Sequence, residues 1–292
     1  MTLLEQAPVT AAGAPAAVTG VARRGRRTEM STATLSRYSG LGLGTAVLWL
    51  SLVVLIPLAA VVAKSFDGGW SGFWSAVTAP GAVSSLELTV VSSLVVAAIN
   101  AVMGTLIAWV LVRDSFPGKR FVELVIDIPF ALPTIVAGVV LLSVYGANSP
   151  VGIDLLGTKR AIVFALLFVT LPFVVRTVQP VLMAIDTEAE QAAACLGAPP
   201  RTIFRRIVLP LLVPAIASGA VLAFARAMGE YGSVLLISGG LQSTRVSSMY
   251  AYGLYESYDY QGAAATATVL LVVSLVVIIG LDVVQRRVAR RG

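Results

Sequence analysis

Two charged residues, Arg226 and Glu230, lie four positions apart inside a long apolar run. Side chains at that spacing share one face of a helix, so each charge can offset the other. Arginine at the centre of a bilayer costs about 2.5–3.5 kcal/mol on insertion scales, and intramembrane charges are usually functional. The pair therefore predicts a face that handles an anion, with Arg226 attracting it and Glu230 holding Arg226 in place. The alternative is an ion pair that only fixes helix packing.

Small and hydroxyl-bearing residues adjoin the pair. Gly229 and Gly232 would permit close helix approach or local bending, and Tyr231 and Ser233 would supply hydroxyl groups. We therefore predict a translocation path that these four residues share with the Arg226–Glu230 pair.

Several other chemistries are excluded by residue type. The chain has no histidine and a single cysteine, Cys195, which removes the usual zinc sites, His-activated nucleophiles and paired redox thiols. There is no GxSxG motif of a serine hydrolase, and the only Gly-Lys, at Gly118-Lys119, is followed by Arg120 and so is not a phosphate-binding loop. We expect a transport subunit that binds no metal or cofactor and is not by itself a catalyst.

The elements that position these residues are apolar spans. Of the 292 residues, 57% are hydrophobic and 12% are charged, which is typical of a polytopic helical membrane protein. Six runs reach the ~20 residues that cross a hydrocarbon core. They are residues 41–63, 86–112, 122–145, 161–183, 208–238 and 264–284. The predicted class is an all-α membrane protein with six transmembrane helices over residues 41–285.

Polar tails flank the bundle. Residues 1–40 are rich in Ala, Thr, Ser and Gly and carry RRGRR, which predicts a disordered cytoplasmic tail, and residues 286–292 form a second, basic tail. A cleaved signal peptide is the alternative at the N-terminus. The first apolar run is longer than the roughly 7–15 residues of a signal sequence, which favours a retained span.

The basic residues orient the bundle. With the N-terminus inside, sixteen of the 21 lysines and arginines lie in inside segments and four in outside segments. This asymmetry predicts a multi-pass plasma-membrane protein with both termini cytoplasmic. It also accounts for the net charge of +6 without a nucleic-acid partner. Asp127 and Asp282 lie near inner span ends with basic residues nearby, which predicts structural pairing or solvation, and the tyrosines at 250–260 predict an interfacial aromatic belt.

The loop over residues 184–207 interrupts the apolar spans. Thr187 with Glu190 matches a capping box and predicts a helix over 188–196 that Gly197 ends in the left-handed conformation. Pro200 suits the first position of a second short helix, which would precede span five. An alanine-rich helix flanked by arginines fits a docking element for a soluble partner and fits equally an interfacial helix on anionic lipid.

The same loop resembles the cytoplasmic signature of binding-protein-dependent ABC importer permeases. The motif is Glu-Ala-Ala, three residues, Gly, nine residues and Ile-x-Leu-Pro, and every spacing holds. Here it is Gln191, Ala192, Ala193, Gly197, Ile207, Leu209 and Pro210, with Gln191 in place of the usual Glu and Glu190 beside it.

The likeness extends over about residues 41 to 285. ALPTIVAGVVLLSVYG (131–146), LPFVVRTVQPVL (171–182) and ARAMGEYGSVLLISG (225–239) resemble the T-type permease subunit of sulfate/thiosulfate importers. The resemblance implies the type I permease fold with a coupling helix between spans four and five. It also implies a sulfate/thiosulfate path through the plasma membrane, and coupling to an ATPase through Glu190, Gln191, Ala192, Ala193, Gly197, Ile207, Leu209 and Pro210.

The resemblance further implies partners. These are a dimer of ABC ATPase subunits that carries ATP and Mg²⁺, a second permease subunit (W-type or a second copy) and an extracytoplasmic sulfate-binding protein. Molybdate or tungstate is the alternative substrate. An ion-driven secondary anion transporter is a further alternative, although no convincing internal repeat is visible.

Overall fold

The computed structural model describes the backbone of residues 37–289. The predicted N-terminal tail lies outside this range except for residues 37–40, which are helical. Residues 286–289 of the predicted C-terminal tail continue the last helix, and residues 290–292 lie outside the described part.

The described residues form helices and connecting loops without β-strands, so the predicted all-α class is confirmed. The first six helices are α1 (Arg37–Leu50), α2 (Ile56–Ser65), α3 (Gly69–Val77), α4 (Pro80–Arg113), α5 (Lys119–Ala131) and α6 (Thr134–Tyr145). The other seven are α7 (Lys159–Ala184), α8 (Thr187–Cys195), α9 (Pro200–Ile203), α10 (Leu209–Met228), α11 (Gly232–Ile237), α12 (Ser247–Glu256) and α13 (Tyr260–Ala289). π-helical turns occupy Ser51–Leu55 and Phe204–Val208, and a 3₁₀ turn occupies Gln242–Thr244.

Five helical stretches of the described chain are long and apolar enough to cross a membrane, and the bent pair α5–α6 would make a sixth. The five are Gly40–Ser65, Pro80–Arg113, Lys159–Ala184, Pro200–Met228 and Tyr260–Val283. Predicted spans one, two, four and six correspond to four of these stretches, with ends shifted by a few residues. Predicted span three is divided between α5 and α6, and predicted span five is divided between α10 and α11.

Span three is broken between α5 and α6, which meet at a bend of 118°. Leu132 is extended (φ −82°, ψ 134°) because the residue before a proline is disfavoured in the α conformation. Pro133 then stands at the N-cap of α6, where its missing N–H costs no helical hydrogen bond. Local backbone chemistry, rather than hydropathy, sets this break.

The packed core is built by α4, α7 and α10 in the compact unit that begins at Leu52. A Cβ atom on Gly104 would lie 2.8 Å from Val174 Cβ, and one on Gly219 would lie 2.9 Å from Val174 Cα. Small residues at such crossings let membrane helices approach closely. The two glycines therefore allow α4 and α10 to pack on α7 at the same place.

Two polar contacts join helices of this bundle, one within the core and one between the core and α5. Asn100 Nδ2 on α4 donates to Thr170 Oγ1 on α7 over 2.8 Å, and both side chains are buried. Arg176 Nε on α7 donates to Asp127 Oδ1 on α5 over 2.8 Å. The predicted structural pairing of Asp127 is thereby confirmed, as is that of Asp282, which pairs with Arg286.

Candidate functional site

The loop between α7 and α10 begins with a capped helix, α8. The Asp186 carboxylate accepts the backbone N–H of Glu188 over 2.9 Å and is the N-cap. The predicted Thr187 cap was therefore wrong by one residue, because an aspartate directly before the helix competes for the same free N–H groups. Glu190 is consequently not engaged in a capping box.

α8 ends as the sequence predicts. Gly197 has φ +82°, its N–H donates to the Ala194 carbonyl, and the Ala198 N–H donates to the Ala193 carbonyl. These two bonds form a Schellman motif, in which glycine takes the left-handed position at no steric cost. The motif turns the chain sharply before Pro199.

The second predicted helix is not separate from span five. α9 begins at Pro200, as expected for proline at a first helical position, and continues through the π turn into α10. Ile207 lies in that turn, and Leu209 and Pro210 open α10. Pro210 has no N–H to donate, yet the helical stretch from Pro200 to Met228 continues through it. The π turn that precedes Pro210 shifts the hydrogen-bond register at this point.

The motif residues of α8 differ in exposure. Gln191 and Ala192 are exposed, Ala193 is half-buried, and Leu196 at the C-cap is 89% exposed. The Glu190 side chain is directed to Arg113 at the end of α4. α8 thus presents an exposed surface that includes Glu188, Gln191, Ala192 and Leu196.

The second region is the gap between α10 and α11. α10 ends at Met228, and Glu230 lies beyond that end, so the prediction that Arg226 and Glu230 share one continuous helix was wrong. The ion pair itself is present. The Glu230 side chain is buried, whereas that of Arg226 is 31% exposed.

The carboxylate and the carbonyl of Glu230 contact residues on both sides of the gap between α10 and α11. One carboxylate oxygen contacts Arg226, and the other, Oε1, accepts the Ser233 N–H at the start of α11 over 2.9 Å. The Glu230 carbonyl accepts from Ser248 Oγ over 2.6 Å. The carboxylate therefore neutralises an arginine and satisfies one of the free N–H groups of the resumed helix.

The other predicted path residues play unequal parts. A Cβ on Gly232 would lie 2.3 Å from Thr134 Oγ1, so Gly232 permits close packing of α11 on α6. Gly229 borders open space and has no such role. Ser233 is buried, and its hydroxyl has no hydrogen-bond partner within the described residues. Tyr231 packs against Tyr252 with 5.3 Å between ring centroids.

A cavity of about 690 Å³ lies beside Tyr231, between α11, α12 and the loop that joins them. Arg245, Tyr252 and Glu256 contribute polar groups to its wall, whereas Arg226 and Glu230 do not line it. A hydrogen bond to Glu256 raises the pKa of Tyr252 above that of an ordinary phenol. Two of the predicted belt tyrosines, Tyr250 and Tyr252, thus face a cavity.

Sequence reasoning missed the partners that the fold supplies. In the sequence, Arg245 and Arg113 are recognisable only as basic residues between predicted spans. The single available signal was their charge, because their positions beside the cavity and beside α8 depend on helix packing. Among the described residues, no group of three or more Cys, Asp or Glu side chains is arranged to hold a metal ion.

Several apolar helices long enough to span a membrane and an exposed loop helix between two of them are the features of a polytopic helical membrane protein. A family model described as "Binding-protein-dependent transport system inner membrane component" matches residues 100–291. The chain belongs to this family of ABC importer permeases.

Curated relatives align with this sequence over most of its length. A sulfate transport system permease protein CysT of Synechocystis is 41% identical over 248 residues, covering 82% of this chain and 87% of the relative. The CysT protein of Salmonella typhimurium is 39% identical over 259 residues, covering 86% of this chain and 94% of the relative.

Solved structures share the fold. A bacterial alginate ABC transporter, in complex with a periplasmic protein that holds an alginate pentasaccharide, contains a chain with a TM-score of 0.73. That match has 18% sequence identity and covers 86% of this chain and 94% of the other. The type I importer fold expected from the sequence is therefore confirmed.

Proposed function

We propose that this chain is the permease subunit of an ATP-driven importer of sulfate and thiosulfate. The observation that carries the proposal is about 40% identity, over more than four fifths of the chain, to proteins named as sulfate transport permeases. The solved transporters at 18% identity support the fold alone.

The loop geometry supports a division of labour. ATP and Mg²⁺ would be bound by a separate dimer of ABC ATPase subunits, docked on the exposed surface of α8. A second permease subunit, W-type or a second copy, would complete the path, and an extracytoplasmic sulfate-binding protein would deliver the anion. The charge asymmetry of the loops supports cytoplasmic termini in the plasma membrane.

The path itself would follow the gap between α10 and α11. The half-exposed Arg226 guanidinium would attract the anion, while Glu230 offsets its charge and limits trapping. Gly229 leaves open space beside the pair, and Tyr231 borders the neighbouring cavity. Ser233 carries a buried hydroxyl without a hydrogen-bond partner among the described residues.

Uptake of labelled sulfate tests the function. A strain lacking this gene should regain ATP-dependent sulfate and thiosulfate uptake when the chain is restored, and excess thiosulfate should compete with sulfate. If molybdate or tungstate competes with labelled sulfate more strongly than thiosulfate does, that oxyanion would be the proposed substrate instead. Uptake that persists on a proton gradient without ATP would contradict an ATP-driven importer.

A further inference from the structure

The short helix α8 buries little of its surface against the rest of the chain. It has nine residues, none of them buried, and it packs chiefly against α9, the next helix in the chain. Helices shorter than about 12–15 residues are marginal in water, and in proteins the packing of an apolar face stabilises most of them. α8 lacks such packing, so another contact must set its orientation.

That contact is an ion pair with a distant helix. The Glu190 carboxylate on α8 accepts from the Arg113 guanidinium, 77 positions earlier, at the last residue of α4. The two side chains are only 20% and 21% exposed. A charge-assisted hydrogen bond that is largely shielded from water is stronger and more directional than an exposed one.

Arg113 is itself held by aromatic packing. Its guanidinium lies 5.3 Å from the ring centroid of Trp109, within cation–π distance. Trp109 meets Phe204 edge to face at 5.2 Å, and Phe204 belongs to the π turn that precedes α10. Arg113 Nε is buried and has no hydrogen-bond partner in the described chain, so Glu190 supplies the carboxylate that offsets this charge.

We propose that Arg113 and Glu190 form a strut that makes α8 and α4 move together. The strut transmits a displacement of α8 to the α4–α7–α10 core, while the Trp109–Phe204 contact keeps the start of span five in register. Both charged residues are positioning residues, and neither binds the transported anion. The claim that a partner ATPase displaces α8 rests on the proposed function. The Arg113–Glu190 contact itself involves this chain alone.

One consequence concerns docking. Because Glu190 is committed to Arg113, the acidic position next to Gln191 faces the permease and not the partner ATPase. The docking surface is then the exposed outer side of α8, with Cys195 and the 89% exposed Leu196. This replaces the sequence-based expectation that Glu190 contacts the ATPase directly.

A spin label on Cys195, the only cysteine, tests the strut in the purified full-length permease. Arg113→Ala and Glu190→Ala should each raise the mobility of the label by a similar amount. Glu188→Ala, an exposed acid of the same helix, should not. The exchange Arg113→Glu with Glu190→Arg should restore most of the rigidity. Unchanged mobility in both single variants would overturn the strut.

The reconstituted complex provides the second readout, uptake per ATP hydrolysed, with ATPase binding measured in parallel. Both single variants should still bind the ATPase subunits, but the amount of sulfate taken up per ATP hydrolysed should fall roughly tenfold. This is the size expected for the loss of a hydrogen bond to a charged group. Leu196→Asp should instead abolish binding. Loss of binding in Glu190→Ala with a silent Arg113→Ala would mean direct ATPase contact and would refute the strut. A wild-type complex without sulfate uptake would contradict the proposed function alone.

Discussion

At the scale of single residues, Glu230 shows how a membrane protein makes a buried charge tolerable. Its two carboxylate oxygens serve Arg226 and the Ser233 N–H, and its carbonyl accepts from Ser248. A carboxylate left unpaired at this depth would be costly, since removing one partner of a buried pair exposes the full desolvation penalty of the other. The same arrangement leaves Arg226 partly exposed, which is what attraction of an anion requires.

The pair gives a prediction that separates structure from transport. Glu230→Met should destabilise the permease by about 3–5 kcal/mol, because Arg226 is left uncompensated, whereas Arg226→Met with Glu230→Met should cost much less. Unfolding of the purified variants measures this difference. If Arg226 attracts the anion, the double variant should fold yet lose most sulfate uptake. Uptake at the wild-type rate would refute that role.

At the scale of elements, breaks and crossings shape the bundle. Proline and glycine interrupt spans three and five, so two helices that hydropathy alone joins become four. The crossings on α7 depend on glycines that admit a neighbouring backbone, and Val174 lies between two of them. Helix ends inside the membrane require side-chain partners, which Glu230 supplies for α11.

Glycine substitutions test the crossing. Gly219→Ala places a Cβ 2.9 Å from Val174 Cα and should destabilise the bundle by about 1–3 kcal/mol through overpacking. The matched control is Gly280→Ala on α13, where the added methyl meets open space and helix propensity should favour the variant slightly. Thermal unfolding in detergent compares the two. Equal stability of both variants would show that α7 and α10 are not closely packed.

At the scale of the whole molecule, α8 lies where α4 ends and span five begins, and the Tyr231–Arg245 cavity adjoins the other end of span five. This separation suits a protein that receives a signal on one membrane face and a solute on the other. The orientation proposed above from the positive-inside asymmetry would place the α8 end in the cytoplasm.

The native cysteine tests this topology without engineering. A membrane-impermeant maleimide should label Cys195 in inverted vesicles and not in intact spheroplasts, because the residue is exposed at the α8 end. Bound ATPase should protect it from labelling. Labelling from the outside of intact spheroplasts would reverse the proposed orientation, and labelling that ATPase leaves unchanged would exclude α8 as its docking surface.

The sequence by itself determined the features that depend on neighbouring residues. Hydropathy predicted the membrane class, Gly197 predicted the left-handed turn after α8, and Pro200 predicted the start of α9, because each depends on local backbone chemistry. The Arg226–Glu230 ion pair was also predicted, because the two residues are only four positions apart. Tertiary structure alone decided that Glu190 pairs with Arg113, because helix packing brings together two residues that are 77 positions apart in the sequence.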